Sequence, residues 1–160
     1  MRILALAGGI AGAVALSQFP AFSQQYVQRL SGAVDELRAV TIAFDTTARV
    51  AGLSREEALD VMGGSEFQNR LRDDMRTRIY RYERLNADYQ ALAAAAPLER
   101  LSRAWRFRDA DLARRTWDDF EPAVPVTSEG AILAGIGFAG GWGFVSLILG
   151  LALKPIRRRA

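Results

Sequence analysis

The sequence contains no cysteine and no histidine, and its only lysine is Lys154. Without these residues there can be no disulfide, no Cys-His or Ser-His-Asp nucleophile and none of the usual zinc ligand sets. A Schiff-base lysine or a phosphate-loop lysine in the central region is excluded too. Only carboxylates and arginines remain for chemistry. We therefore predict that the protein is not an enzyme, with no catalytic residue, no cofactor and no metal site.

Charge is also missing from a long stretch near the end of the chain. Between Glu129 and Lys154 the sequence has no charged residue. A membrane-spanning helix needs about 20 apolar residues, so we predict a transmembrane helix over residues 130–153. The alternative, a core helix of a soluble domain, would need a domain large enough to surround a helix that is apolar on every face.

A second apolar stretch lies at the N-terminus, where Ile3 to Leu16 is continuously apolar and no charge follows Arg2 until Arg29. Residues 1–22 are predicted to form a first transmembrane helix or an uncleaved signal anchor. A cleaved secretory signal peptide is the alternative, because the small residues of the tripeptide at 21–23 suit a cleavage site.

Basic residues flank both predicted spans and determine the predicted topology. Arg2 precedes the first span, and a basic tail over residues 154–160 follows the second. Because Lys and Arg near a span tend to stay in the cytoplasm, both termini are predicted to be cytoplasmic and residues 23–128 to be exported to the periplasm. The topology-determining residues are Arg2, Lys154, Arg157, Arg158 and Arg159.

The region between the spans is close to neutral. It carries all 18 acidic residues and 16 of the arginines, a net charge of −2. A nucleic-acid-binding domain gathers positive charge on its folded part, so no nucleic-acid partner is expected.

Apolar residues between the spans recur at three- and four-residue steps, which predicts helices and no strands. Long helices are predicted over residues 21–51 and from Glu66, the second with a coiled-coil-like seam, and a short helix over 55–62 follows the capping box of Ser54 and Glu57. Shorter helices are predicted from Pro97 and Asp109. The predicted fold is an all-α membrane protein in which two transmembrane helices flank an extended exported helical hairpin or bundle.

The glycines of the spans form two small-xxx-small pairs, Gly8 with Gly12 and Gly137 with Gly141. Such spacing lets two helix backbones approach closely in lipid, so all four residues are predicted to pack helices in the membrane.

A second apolar face is predicted on the exported domain. Val27, Val34 and Ile42 lie off the seam of the first long helix and are expected to remain unpaired, which favours a docking surface that also includes Trp105 and Trp117. The expected partners are the lipid bilayer and either a second copy of the chain or another membrane protein.

Arginine and carboxylate pairs such as Arg70 with Asp74, four residues apart, indicate a solvated helix face, and a bound cation, acidic partner or lipid headgroup is the alternative.

The run SQFPAFSQQYVQRLSGAVDEL, the later run VPVTSEGAILAGIGFAGGWG and the basic tail resemble an uncharacterised family of small bacterial inner-membrane proteins with a domain of unknown function. The resemblance covers most of the chain. It implies a location in the bacterial inner membrane and two spans, and it implies no activity, so no catalytic residue is transferred from it.

These observations predict a non-enzymatic structural or accessory inner-membrane protein whose periplasmic helical domain mediates protein–protein interaction. The alternative is a ligand- or ion-binding sensor or transport-assisting membrane module. An enzyme that works at the membrane surface with carboxylates and arginines alone is the third possibility.

Overall fold

The computed structural model describes residues 2–122 and 127–157, with side chains described up to residue 152. Over these ranges every regular element is a helix, so the prediction of an all-α fold is confirmed for the described residues. The elements are α1 (Arg2–Ser17), α2 (Phe19–Val50), α3 (Arg55–Val61), α4 (Glu66–Ala93), α5 (Pro97–Ser102), a 3-10 turn (Ala104–Arg106), α6 (Ala110–Asp118) and α7 (Ser128–Arg157).

Two helical stretches are long and apolar enough to cross a membrane. The first, Arg2–Val50, contains α1 and α2, and the second, Ser128–Ala152, lies in α7. At 1.5 Å per residue, the 30 residues of α7 extend about 45 Å, which exceeds the thickness of a hydrocarbon core. The described chain therefore has the helix lengths and composition expected of a two-span membrane protein.

The chain forms two compact units. The α1–α7 unit comprises Met1–Gln25, Ala95–Ala104 and Arg114–Ala160, and the α2–α4 unit comprises Tyr26–Ala94 and Trp105–Ala113. Helix α2 begins in the first unit and continues into the second, while α6 begins in the second and ends in the first.

The core of the α2–α4 unit is built from the apolar face of α2, the second half of α4 and the segment around α6. Burying these side chains supplies the main free energy of folding, at about 25 cal/mol per Å² of apolar surface. The buried members are Tyr26, Val27, Leu30, Val34, Leu37, Leu85, Leu92 and Leu112.

Two glycine turns connect α2, α3 and α4. After α2 the Gly52 backbone has a φ of 74°, and the N–H of Leu53 donates to the Ala48 carbonyl at 2.9 Å, which is the Schellman arrangement. Gly64, with a φ of 128°, ends the second turn. Glycine is favoured at both positions because side chains disfavour positive φ.

Both helices that follow these turns begin with a capping box. Ser54 and Glu57 form the one before α3, as predicted, and Ser65 and Gln68 form another before α4. The Ser54 hydroxyl and backbone N–H donate to the Glu57 carboxylate and hold the pKa of that carboxyl below its usual value. These caps satisfy backbone N–H groups of the first turn and fix where each helix begins.

The predicted seam of α4 is buried only in its second half. Ile79, Leu85 and Leu92 are buried, whereas Phe67 is 74% exposed and Leu71 is 43% exposed. The first half of α4 therefore keeps an apolar surface that the α2–α4 unit does not cover.

Candidate functional site

The four glycines predicted to pack helices lie together where α1 meets α7. A Cβ added to Gly137 would lie 2.1 Å from the carbonyl oxygen of Gly12, and one added to Gly141 would lie 2.1 Å from the carbonyl oxygen of Gly8. Any side chain at these positions would force the helices apart. The two backbones therefore touch along a face where small residues are required.

Aromatic side chains border this glycine contact. The ring of Phe138 lies against Gly9, where an added Cβ would come within 2.8 Å of it, and Trp142 packs on Phe138 with ring centroids 5.8 Å apart. The face of α7 that carries Gly137 and Gly141 is thus occupied by α1.

A groove opens beside the glycine contact, where the start of α1 meets the last turns of α7. Its volume is about 250 Å³, and its walls are largely apolar. The groove is lined by Arg2, Ala5, Trp142, Ser146, Leu149 and Gly150.

Some of the residues that are predicted to determine the topology lie within the described part of the chain and others do not. Arg2 begins α1, and the backbones of Lys154 and Arg157 lie in the last turns of α7. Arg158 and Arg159 lie outside the described residues.

Near the beginning of α2, an aromatic cluster occurs in the α1–α7 unit. Phe22 meets Trp117 edge-on at a centroid distance of 6.2 Å, and meets Phe120 at 5.8 Å. Trp117 is nevertheless 70% exposed. Its ring thus combines an intramolecular contact with an exposed surface.

A buried arginine lies in the same unit. Arg100 is 6% exposed; its Nη1 donates to Oε1 of Gln24 at 2.8 Å and its Nε donates to the Ala95 carbonyl at 3.1 Å. Burial lowers the pKa of the Arg100 guanidinium. These hydrogen bonds attach α5 to the beginning of α2.

In the α2–α4 unit the most buried carboxylate is Asp88 on α4, which is 1% exposed. Arg106 donates to its Oδ1 at 3.0 Å, and Nε of Arg108 donates to its Oδ2 at 2.9 Å. A buried carboxylate is tolerated when charged donors satisfy its oxygens. These bonds attach the segment after α5 to α4.

A second buried carboxylate, Asp109, connects the same two parts of the chain. Here the carboxylate belongs to segment 105–113 and the arginines belong to α4. Arg84 of α4 donates to its Oδ2 at 2.9 Å, and Arg81 approaches its Oδ1 at 3.4 Å. Oδ1 also accepts the N–H of Leu112 at 3.2 Å, which makes Asp109 the predicted cap of α6. Segment 105–113 is therefore connected to α4 by two reciprocal ion-pair clusters.

Tyr26 lies in the core next to these clusters, with its ring 4.7 Å from that of Phe107. Burial raises the pKa of the Tyr26 hydroxyl to about 12, and the nearby Asp109 backbone opposes that shift. The hydroxyl is fully enclosed and outside normal hydrogen-bond geometry with its described neighbours. Folding at this position therefore favours the neutral phenol.

A third ion pair joins α2, α3 and α4. Arg55 donates from Nε and Nη2 to the two carboxylate oxygens of Asp45, at 2.8 and 2.6 Å, and from Nη1 to Glu83 at 3.0 Å. The hydrogen bonds from Arg55 hold the pKa of Asp45 below its usual value. This bidentate pair fixes the beginning of α3 against both long helices.

The prediction of solvated charges on α4 holds in the first half of the helix and is only partly right further along. Arg70 is largely exposed, although it pairs with Glu66 rather than with Asp74. Arg81 and Arg84, in contrast, hold the buried Asp109. Asp109 lies 28 residues after Arg81 and 25 residues after Arg84, so spacing along one helix could not reveal these pairs.

The predicted interaction face is also corrected. Val27 and Val34 are only 6% and 4% exposed, and both belong to the core, so the prediction that they remain unpaired is wrong. The reason is that the core side chains cover a wider face of α2 than the narrow seam assumed in the sequence analysis. Ile42 and Trp105 are exposed, at 50% and 66%, and do not form a continuous face with the buried valines.

The exposed apolar surface lies instead on the first half of α4. Phe67 and Leu71 are four residues apart and share one side of the helix, and Met75 continues the row half-buried. We call these three residues the α4 stripe. The sequence shows these residues as the beginning of the predicted seam. Only the structure shows that Phe67 and Leu71 remain exposed within the described chain.

The chain belongs to the protein family described as "Protein of unknown function (DUF2937)", whose members it matches over residues 1–158. The expected resemblance to an uncharacterised family is thereby confirmed. Comparison with curated proteins gives no match, and comparison with solved structures gives none either.

Proposed function

We propose that this protein is a non-enzymatic accessory protein of the bacterial inner membrane, anchored by α1 and α7, whose α2–α4 unit binds another protein chain. The observation that carries the proposal is the α4 stripe. Phe67 and Leu71 are large, apolar and exposed, whereas Ile79, Leu85 and Leu92 further along the same seam are buried. Contiguous exposed apolar surface on a well-packed unit is typical of a binding site.

The proposed topology places both termini in the cytoplasm and the α2–α4 unit in the periplasm. Arg2 at the start of α1 and Lys154 and Arg157 near the end of α7 support it, because basic residues next to spans favour the cytoplasmic side. A reporter that works only outside the cytoplasm is expected to be active when fused after Ala96 and inactive when fused after Ala160. The reverse pattern would reject this topology.

The partner we propose for the stripe is the same stripe of a second copy of the chain. Charges beside the stripe are already paired within α4, at 2.6 Å between Arg70 and Glu66 and at 2.7 Å between Arg78 and Asp74. The α4 segment 66–78 has four arginines and three carboxylates, a net charge of +1. Two copies therefore meet without strong like-charge repulsion, and their apolar rows supply the attraction.

Cysteine cross-linking tests this partner, because the natural chain contains no cysteine. Leu71→Cys lies in the middle of the stripe, while the control, Tyr80→Cys, lies nine residues further on the opposite side of α4 and is 69% exposed. Mild oxidation of intact membranes is expected to give a disulfide-linked dimer with Leu71→Cys and monomer with Tyr80→Cys.

Other results of this experiment contradict the proposal. Equal cross-linking of the two variants would indicate random collision, and monomer from both would show that the stripe does not meet a second copy. A Leu71→Cys adduct of larger mass than a dimer would assign the stripe to a different protein, and the self-association would be rejected.

The ligand-binding alternative receives less support from the geometry. The buried carboxylates Asp88 and Asp109 are each held by two arginines of the same unit. Their charges are therefore used to attach segment 105–113 to α4.

A further inference from the structure

The groove between α1 and α7 combines an apolar wall with one cationic side chain. Arg2 and Ala5 line it from α1, and Trp142, Ser146 and Leu149 are among the residues that line it from α7. A water-soluble ligand would have little to bind on such a wall. An amphiphile with an anionic head and a hydrocarbon chain matches both of its features.

The charge around the groove is positive only. Arg2 makes no hydrogen bond or ion pair with any residue of the described chain, and α1 contains no acidic residue. Glu129 is the only carboxylate of α7 and lies 17 residues before Ser146, about 26 Å along the helix axis. In the sequence, Lys154 follows the groove residue Gly150 by four positions.

Within the described parts of α1 and α7, no carboxylate lies close enough to balance the charge of Arg2. A guanidinium near the hydrocarbon is costly unless a counter-charge or water satisfies it, and basic pockets between membrane helices bind anionic lipid headgroups. The groove provides both a donor for a phosphate and an apolar wall that continues towards the middle of α7.

We infer that the α1–α7 groove binds one anionic phospholipid, with its phosphate on the Arg2 guanidinium and one acyl chain against Ala5, Trp142 and Leu149. The Ser146 hydroxyl lies in the same groove and offers a second donor to the headgroup. The glycine contact keeps α1 and α7 close, so the groove has fixed walls. This inference requires that the two helices lie in a membrane and is independent of what the α4 stripe binds.

Trp142 reports directly on the occupant, because it lines the groove. Trp105→Phe with Trp117→Phe leaves it as the only tryptophan, and both replaced residues are largely exposed. The full chain is reconstituted into phosphatidylcholine vesicles that contain a small fixed fraction of brominated lipid, either phosphatidylglycerol or phosphatidylcholine. We expect an apparent preference of about fivefold for quenching by brominated phosphatidylglycerol, the effect of roughly one basic side chain on an anionic lipid.

Two variants separate the groove from general surface charge. Arg2→Gln is expected to reduce the preference to about one, while Arg114→Gln, which removes an equal charge from an exposed side chain, leaves it unchanged. Gly150→Leu adds a side chain to the wall of the groove at a position where nothing lies within 4 Å of the Cβ, and it is expected to lower quenching with Arg2 still present.

Inorganic phosphate in excess distinguishes a lipid from a soluble anion. A bound phospholipid is retained and the preference persists, whereas loss of the preference would identify a free-phosphate site and overturn the lipid assignment. Equal quenching by the two brominated lipids, or an unchanged preference in Arg2→Gln, would also overturn it. Failure of both lipids to quench Trp142 would show that the groove is not in the bilayer. The inference requires that α1 and α7 lie in a membrane, so this result would reject it.

Discussion

Gly12 and Gly137 are in direct backbone contact: a Cβ at Gly137 would lie 2.1 Å from the Gly12 carbonyl oxygen, and one at Gly12 would lie 2.2 Å from the Gly137 carbonyl oxygen. The relationship is reciprocal, so neither position accepts a side chain. In the membrane location that we propose for α1 and α7, apolar side chains gain no hydrophobic free energy by meeting, and close backbone packing becomes a main source of attraction between the two helices.

The first prediction follows from this contact. Gly137→Leu is expected to separate α1 from α7 and to destabilise the full chain in detergent by about 1–3 kcal/mol, the usual cost of overpacking. Gly140→Leu is the matched control, because nothing lies within 4 Å of its Cβ position, and we expect it to be neutral. Thermal unfolding followed by circular dichroism measures both, and equal midpoints for the two variants would contradict the contact.

The second prediction concerns the buried Asp88. Asp88→Asn removes the charge that Arg106 and Arg108 share. It is expected to lower the free energy of unfolding, measured with denaturant, by about 2–3 kcal/mol. The exposed pair of Asp74 with Arg78 provides the control, and Asp74→Asn is expected to cost about 0.5 kcal/mol or less.

Limited proteolysis provides a local measurement of the same change. Trypsin is expected to cleave after Arg106 or Arg108 sooner in Asp88→Asn than in the natural chain, because the segment is no longer attached to α4. Unchanged cleavage with lowered stability would mean that Asp88 does not hold this segment.

The third prediction tests the corrected position of the valines. Val34→Asp buries an unpaired carboxylate in the core and is expected to destabilise the α2–α4 unit by at least about 3 kcal/mol. Ile42→Asp lies on the same helix at an exposed position and is expected to change stability by about 0.5 kcal/mol or less. A stable, helical Val34→Asp chain that merely loses a partner would restore the earlier interpretation of Val34 as a docking residue.

The fourth prediction uses the raised pKa of Tyr26, which is about 12 in the folded chain and about 10 for an ordinary tyrosine. Between these values the unfolded chain loses the proton and the folded chain keeps it, so stability decreases as pH rises above about 10. The Tyr26→Phe variant lacks this ionisable hydroxyl. Its free energy of unfolding is expected to fall by about 1–2 kcal/mol less than that of the natural chain between pH 10 and pH 12. Parallel curves for the two proteins in that range would show that Tyr26 ionises normally.

Local signals in the sequence determined the helices. The predicted helix over 21–51 matches α2 at Phe19–Val50, and the capping box of Ser54 placed the beginning of α3 correctly. Caps, glycine turns and apolar periodicity act within a few residues, so a single sequence carries them. The two charge-free stretches likewise predicted the candidate spans from length and composition alone.

Only the tertiary structure decided which faces of those helices are covered. Arg81 and Arg84 look like surface charges until Asp109 approaches from another part of the chain, and Val27 and Val34 look unpaired until the core closes over them. The four glycines are visible in the sequence, but their use in a contact between α1 and α7 depends on how two segments more than 100 residues apart meet. Helix formation is local in the chain, whereas burial and ion pairing depend on which distant segments are packed together.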